Sequence, residues 1–252
     1  MDLTEAIEIH PAPRVSGSAL ARKLNALRFL TDDAVEFLED LQTRTVELDV
    51  GKEFVTDGGP MKTSFIVQSG WAIRYVLLSS GRRQIISYAL PGDILGLHAD
   101  FRRNATYSAA ALTPLRLATV EPKRLVDLHR LFPTVAAGLS WCSAREHSIL
   151  GDQAVRLGRL AADQRIVHLL LELWHRLKLI GENDGRRLDA PMTQNDLADT
   201  LGLSLVHTNR QLAKLRRAGY ITVERGQVRL NDFDRLIEMS EFNPDHLEAF
   251  AL

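Results

Sequence analysis

One cysteine, Cys142, is all the thiol chemistry that this 252-residue chain has. That excludes an internal disulfide, a four-cysteine iron-sulfur site and a cysteine zinc cluster supplied by one chain. No apolar run approaches the roughly 18 residues that a membrane-spanning helix needs. The opening MDLTEAIEIH has neither the basic start nor the apolar stretch of a secretory leader. A reducing cytoplasm, with no membrane partner, is the expectation. Glycine loops that cradle phosphate, nucleophile motifs and histidines spaced with carboxylates as metal ligands are also missing. No catalysis, metal or cofactor is expected. Repeats and low-complexity segments are absent, and the formal net charge is only -1, so any attraction to a polyanion must come from local clusters.

Such a cluster is present. Residues 165–230 carry eleven basic side chains against seven acidic ones, whereas beyond 231 six acids face Arg235 alone. The acidic tail reads as a solvated helix turned away from a polyanion. Within the basic segment, residues 194–221 read as two short helices around a tight turn. Thr193 is placed to cap the first, with Asp196 three residues on; Leu197, Ala198 and Leu201 give it an apolar face, and Gly202 ends it. Ser204 caps the second, which turns Leu212 and Leu215 inward and leaves Asn209, Arg210, Lys214, Arg216 and Arg217 on its other faces. That is the layout of a recognition helix for a DNA major groove. Residues 220–223 and 228–230 then read as two short strands around a turn, a wing.

Upstream, residues 18–41 show helical spacing. From about 44 the period changes to strand alternation, with strands expected at 46–50, 53–56, 64–68, 71–78, 83–89, 106–112 and 115–120, punctuated by glycine turns. Their regular spacing suggests a small antiparallel barrel or roll. Residues 122–128 suggest a short helix, and Phe132-Pro133 opens a long one running to about 158. On it Ser143, His147, Leu150, Ala154, Leu157 and Ala161 recur at heptad-like spacing. Burial against the chain's own roll would give the same stripe; pairing with a second subunit is the reading taken, because two-fold DNA readers need such an element. The polar run GENDGRR at 181–187 reads as a turn.

With roll, long helix and winged helix-turn-helix in this order, the chain resembles the Crp/Fnr family of bacterial transcription factors over about residues 30–235. The motifs that carry the resemblance are PGDILGL at 91–97, RLGRLAADQRIVHLLLEL at 156–173 and LADTLGLSLVHTNRQLAKLRRAGYI at 197–221. It implies an α+β fold with an N-terminal helix-and-roll domain at 1–130, a dimerisation helix at 131–163, a DNA-binding domain at 164–235 and an acidic tail at 236–252. Double-stranded DNA, a second copy and RNA polymerase are the implied partners. Leu205, Val206, His207, Asn209 and Arg210 are the expected base readers, with Arg210 taking a guanine. Ser204, Lys214, Arg216, Arg217, Arg225 and Arg229 are placed for phosphate.

The chain departs from the family members that bind cyclic AMP. Leu97 stands where they have a ribose-binding Glu, no Arg precedes Ser108 in alignment, Arg102 and Arg103 fall in what should be a loop, and Leu150-Gly151 replaces a Thr-Ser pair. For haem, His98 is the one candidate ligand in the roll. The expectation is an apolar roll interior, with Leu97, Tyr107 and Leu150 around any effector site, no use of cyclic AMP, and no convergent charged groups. Constitutive DNA binding is favoured over an uncharged effector. The remaining alternative is a ligand-binding scaffold whose helix-turn-helix contacts protein.

Overall fold

A computed structural model describes residues 17–27, 30–97, 104–183, 185–224 and 226–248. His98, Arg102, Arg103 and Arg225 therefore lie outside the described residues. Two small helices, α1 (Ala19–Asn25) and α2 (Asp32–Asp40), come first, capped by Ser18 and Thr31 through side-chain oxygens that accept from the third amide on. Eight strands follow: β1 (Thr45–Leu48), β2 (Glu53–Val55), β3 (Ser64–Ser69), β4 (Ala72–Leu77), β5 (Arg83–Ala89), β6 (Ile94–Leu95), β7 (Ser108–Ala111) and β8 (Leu115–Val120). They form two four-stranded antiparallel sheets, ordered β1-β8-β3-β6 and β2-β7-β4-β5. Between the sheets the filling is apolar and mostly small, including Val67, Ala72, Ala109, Ala111 and Leu117. Two-residue β6 has too little alternation to be legible in the sequence.

The helix α3 (Pro122–Leu131) runs three residues past expectation, and α4 (Pro133–Gly158) is the long helix. Its 26 residues span about 39 Å. The expected stripe needs correcting at its end: α4 stops at Gly158, and Ala161 is the N-cap of α5 (Ala162–Leu179). Gly158 is a poor helix former and Leu160 is buried, so the chain leaves the helix to seat that leucine. Beyond α5 come β9 (Arg187–Asp189), α6 (Gln194–Leu201), α7 (Leu205–Arg217), β10 (Ile221–Glu224), β11 (Gln227–Leu230) and α8 (Phe233–Ser240). The GENDGRR run, expected to be only a turn, ends in β9, which pairs with β11 and makes the wing a three-stranded β10-β11-β9 sheet. Only Leu188 of β9 is buried, so its sequence carries a single apolar mark. Among the described residues no helix is long and apolar enough to cross a membrane.

One apolar core joins the roll to the C-terminal half. Trp71, Ile73, Ile85 and Tyr88 from β4 and β5 with their flanks, Ile149 from α4, the α5 leucines, and Leu197, Leu201, Leu215 and Ile221 are contiguous. Charge is buried there too. Arg156 and Glu172, 1% and 2% exposed, are joined at 2.5 Å, and Arg176 reaches Glu172 at 3.0 Å and Asp93 at 2.6 Å. Lys23 of α1 closes on the other Asp93 oxygen at 2.6 Å. Burial works to raise both carboxyls, but Arg156 and Arg176 hold Glu172 below its ordinary range, and Lys23 and Arg176 do the same to Asp93. The turn before Asp93 needs a glycine: Gly92 has φ +82°, and a Cβ there would stand 2.7 Å from the Ala19 carbonyl oxygen.

The acidic tail is a strap rather than a free helix. Its carboxylates are exposed, but Leu236, Phe242 and Leu247 are buried, with Leu247 in a 3-10 turn (Asp245–Leu247) that packs on α4 and α5. The Phe242 ring lies 5.0 Å from His168 and 5.2 Å from His175. Burial, with Arg156 nearby, pushes His168 down to about 4; burial, with Lys178 nearby, does the same to His175. Both imidazoles are neutral in the folded chain yet would take a proton near about 6.5 when unfolded. Protons then favour the unfolded state, so this contribution is full above about pH 6.5 and is lost as pH falls toward 4. Melting temperature followed from pH 7 to 4.5 should decline, less steeply in His175→Phe; equal slopes would contradict this assignment.

Candidate nucleic-acid interface

The two helices of the turn are built by local chemistry. The Thr193 hydroxyl accepts from the Asp196 amide at 3.1 Å, and the Asp196 carboxylate accepts from the Thr193 amide at 2.9 Å, a reciprocal cap for α6. Gly202 ends α6 at φ 63°, and a Cβ there would press on Leu157 Cδ2 at 3.2 Å. The Ser204 hydroxyl accepts from the His207 amide at 3.2 Å and starts α7. Thr208 and Leu215 are buried under α7, while Leu205, Val206, Asn209 and Arg210 are exposed, Val206 at 78%. His207 is half-buried, its Nε2 3.0 Å from the Gln211 amide nitrogen. Val206, Asn209, Arg210, Ala213 and Arg217 trace one face at helical spacing, with Leu205 and His207 at its two edges. Such a face, narrow and lightly engaged, suits insertion into a groove.

The basic side chains divide. Arg210, Arg216, Arg217 and Arg229 are exposed, whereas Lys214 is joined to Asp163 at the start of α5, 2.7 Å away. Arg187, outside the expected set, stands opposite Arg229 across β9 and β11, both exposed. Like charges in direct cross-strand register repel, so a bound anion there would relieve the strain. The signal for Arg187 was its place in the basic segment.

Sequence reasoning also missed how this unit is held. Arg83 at the start of β5 donates to Asp196 at 2.6 Å and to Asp199 at 2.8 Å. The Tyr88 hydroxyl is 2.7 Å from that of Thr200, and the amides of Gln84 and Gln153 both reach the Thr200 carbonyl. Arg165 donates to the Leu201 carbonyl at 3.0 Å, placing a cation at the negative end of α6. The first helix of the pair is thus clamped to the roll, and the second is left to face outward.

On α4, His147, Leu150 and Ala154 are exposed, Leu150 at 39%, while Ser143 and Leu157 are half-buried. Leu157 lies against the Gly202 turn and Ser143 faces a cavity, so those two look inward from the expected stripe. That cavity, about 40 Å³, lies where α1, the roll, α4 and α5 meet. The three expected effector residues do not converge on it. Leu97 lines it; Leu150 points to the surface and Ile149 takes its place; Tyr107 is not in its lining, although its ring lies 5.4 Å from the guanidinium of Arg74, which is. A one-residue phase error on a helix turns a side chain by about 100°. The expected absence of converging charge is also corrected, since Lys23, Arg74, Asp93, Arg145, Glu146 and Arg176 all line this cavity. Burial pushes the Cys142 thiol up, which makes it a poor nucleophile.

Comparison with known proteins agrees with this architecture. Residues 164–239 match the Crp-like helix-turn-helix domain, and residues 45–130 match the cyclic nucleotide-binding domain. The nitrogen fixation regulation protein FixK of Bradyrhizobium diazoefficiens is 32% identical over 203 residues, covering 79% of this chain and 84% of its own. The chain belongs to the Crp/Fnr family of transcriptional regulators. The transcriptional activator protein FnrL of Cereibacter sphaeroides is 30% identical over 192 residues, 75% of this chain and 77% of its own. Among solved structures, FixK2 from Bradyrhizobium japonicum superposes with a TM-score of 0.68 at 27% identity, covering 82% of this chain and 98% of its own. This Crp/Fnr regulator is a DNA-binding transcription regulator, not an enzyme.

Proposed function

We propose that this Crp/Fnr regulator acts in the cytoplasm as a homodimer on an inverted-repeat operator, with α7 of each subunit in a major groove. The observation that carries the reading is the outer face of α7, where Val206, Asn209 and Arg210 stand exposed on a helix whose opposite face is anchored by Thr208 and Leu215. Arg210 takes a guanine through its O6 and N7, Leu205 or Val206 touches a thymine methyl, and His207 and Asn209 complete the base readers. The exposed side of α4 around His147, Leu150 and Ala154 supplies the subunit contact. Two copies of α7 related by one two-fold axis then meet half-sites about 34 Å apart. The name of FnrL, a transcriptional activator protein, supports activation as the output; RNA polymerase is the partner that such an output requires.

Cyclic AMP has no part in this mechanism. Among the described residues the cavity lined by Leu97 has about 40 Å³ of free space, room for roughly three waters and far less than a nucleotide needs. A ligand without differential affinity for the DNA-binding state shifts nothing. Duplex binding by the purified protein is expected to be equally tight with and without millimolar cyclic AMP; binding only with the nucleotide would overturn this reading. Salt sorts the basic residues. Replacing Arg187, Arg216, Arg217 or Arg229 by Ala is expected to lower the slope of log K against log salt by about one per lost phosphate contact and to leave base preference unchanged. Ser204, as a cap and phosphate donor, belongs with them; Lys214 should contribute less, because Asp163 competes for it. A changed base preference with an unchanged slope would contradict the sorting.

A further inference from the structure

The cavity beside α1 contains a cation that has no ion-pair partner among the described residues. Its two carboxylates are both taken: Asp93 by Lys23 and Arg176, and Glu146 by Arg74, which also donates to Ser87 at 2.6 Å. Arg145 of α4 is left over. It is 4% exposed, its Nε donates to the Leu247 carbonyl at 3.2 Å, and its Nη2 has no hydrogen-bond partner among the described residues. A guanidinium shut away from water without a counter-charge is among the costliest arrangements a protein can hold. The strain is visible in its acidity, which burial and neighbouring Arg176 push down to about 10. Even so the group stays charged at neutral pH, so a missing proton cannot relieve it.

Four cations and two carboxylates line the cavity, leaving a positive excess around space for about three waters. We propose that this cavity binds a small planar oxyanion, of carboxylate, nitrate or bicarbonate geometry, with the Arg145 guanidinium as its principal donor. The flat fork of a guanidinium offers two parallel N–H groups that match such an ion edge to edge. The volume of about 40 Å³ sets the size limit. Arg176 stands on α5, the helix against which α6 and α7 pack, so the site lies where the roll meets the DNA-reading half. The inference does not depend on how α7 reads DNA.

The test uses the purified full-length chain at constant ionic strength, with acetate, nitrate, bicarbonate, sulfate and chloride compared in thermal unfolding. At least one planar ion is expected to raise the melting temperature saturably by several degrees, while sulfate and chloride do not. Arg145→Met should abolish that rise. A rise of equal size in Arg145→Met, or no saturable response to any planar ion, would overturn the proposal. Should Arg145→Met fail to fold, the wild-type chain still decides. The Trp141 ring lies 5.6 Å from the Arg145 guanidinium carbon, so titrating the planar ion that stabilises should change tryptophan emission saturably, and Trp141→Phe should lose that change. A flat wild-type titration, or an identical change in Trp141→Phe, counts against the site.

Discussion

Replacing Glu172 by Leu is expected to cost about 3–5 kcal/mol of folding stability, the range for removing one partner from a buried ion pair. Glu172 is 2% exposed and receives Arg156 at 2.5 Å and Arg176 at 3.0 Å. Without it Arg156, whose Nε and Nη1 have no other partner among the described residues, becomes a second uncompensated buried guanidinium. The leucine fills the space but cannot accept a hydrogen bond. Most domains are stable by about 5–15 kcal/mol, so Glu172→Leu should shift the urea midpoint of tryptophan fluorescence by a large fraction of its value. A surface control sets the scale: Asp40→Ala, which breaks a half-exposed pair with Arg124, should cost less than about 1 kcal/mol. A Glu172→Leu chain as stable as the control would mean that the buried charges do not hold the core together.

Loss of Arg210 should leave stability alone and weaken operator binding by about 1–3 kcal/mol, roughly 5- to 150-fold, while relaxing preference at one base position in each half-site. The reasoning is geometric. Arg210 is exposed on the face that also carries Val206 and Asn209, and it is on the opposite side of α7 from Thr208 and Leu215. A bidentate contact to guanine is lost with the side chain, and the other contacts persist. Comparing Arg210→Ala with the wild type on a randomised operator pool checks both parts. Weakening that is uniform over all sequences would move Arg210 into the phosphate group.

The helix-turn-helix was legible because each of its signals is local: Thr193 and Asp196 cap one helix, Gly202 takes the left-handed turn, and Ser204 opens the next. The roll was legible as strands for a similar reason, since alternation and glycine turns need only a few residues of context. Pairing order was not, because β1 meets β8 and β2 meets β7 across most of the domain's length. Strands as short as β6, or carrying one buried side chain as β9 does, give alternation nothing to act on. The charged centre was the largest gap. Lys23, Asp93, Arg145, Arg156, Glu172 and Arg176 are spread over some 150 residues, and each alone looks like an ordinary surface charge. Only Glu172 and Arg176, four apart on α5, formed a pair that sequence spacing reveals. Leu150 was expected both on the α4 stripe and at the effector site; its exposure is compatible with the first and not with the second, where Ile149 lines the cavity instead.

The most direct test of the account is selection of bound duplexes from a random pool by the purified, untagged protein, without added nucleotide. The expected result is an inverted repeat whose half-sites are centred about 34 Å, one helical turn, apart. Recovery of a single unrepeated site, or of no consensus at all, would contradict a two-fold reader built on α4 and α7.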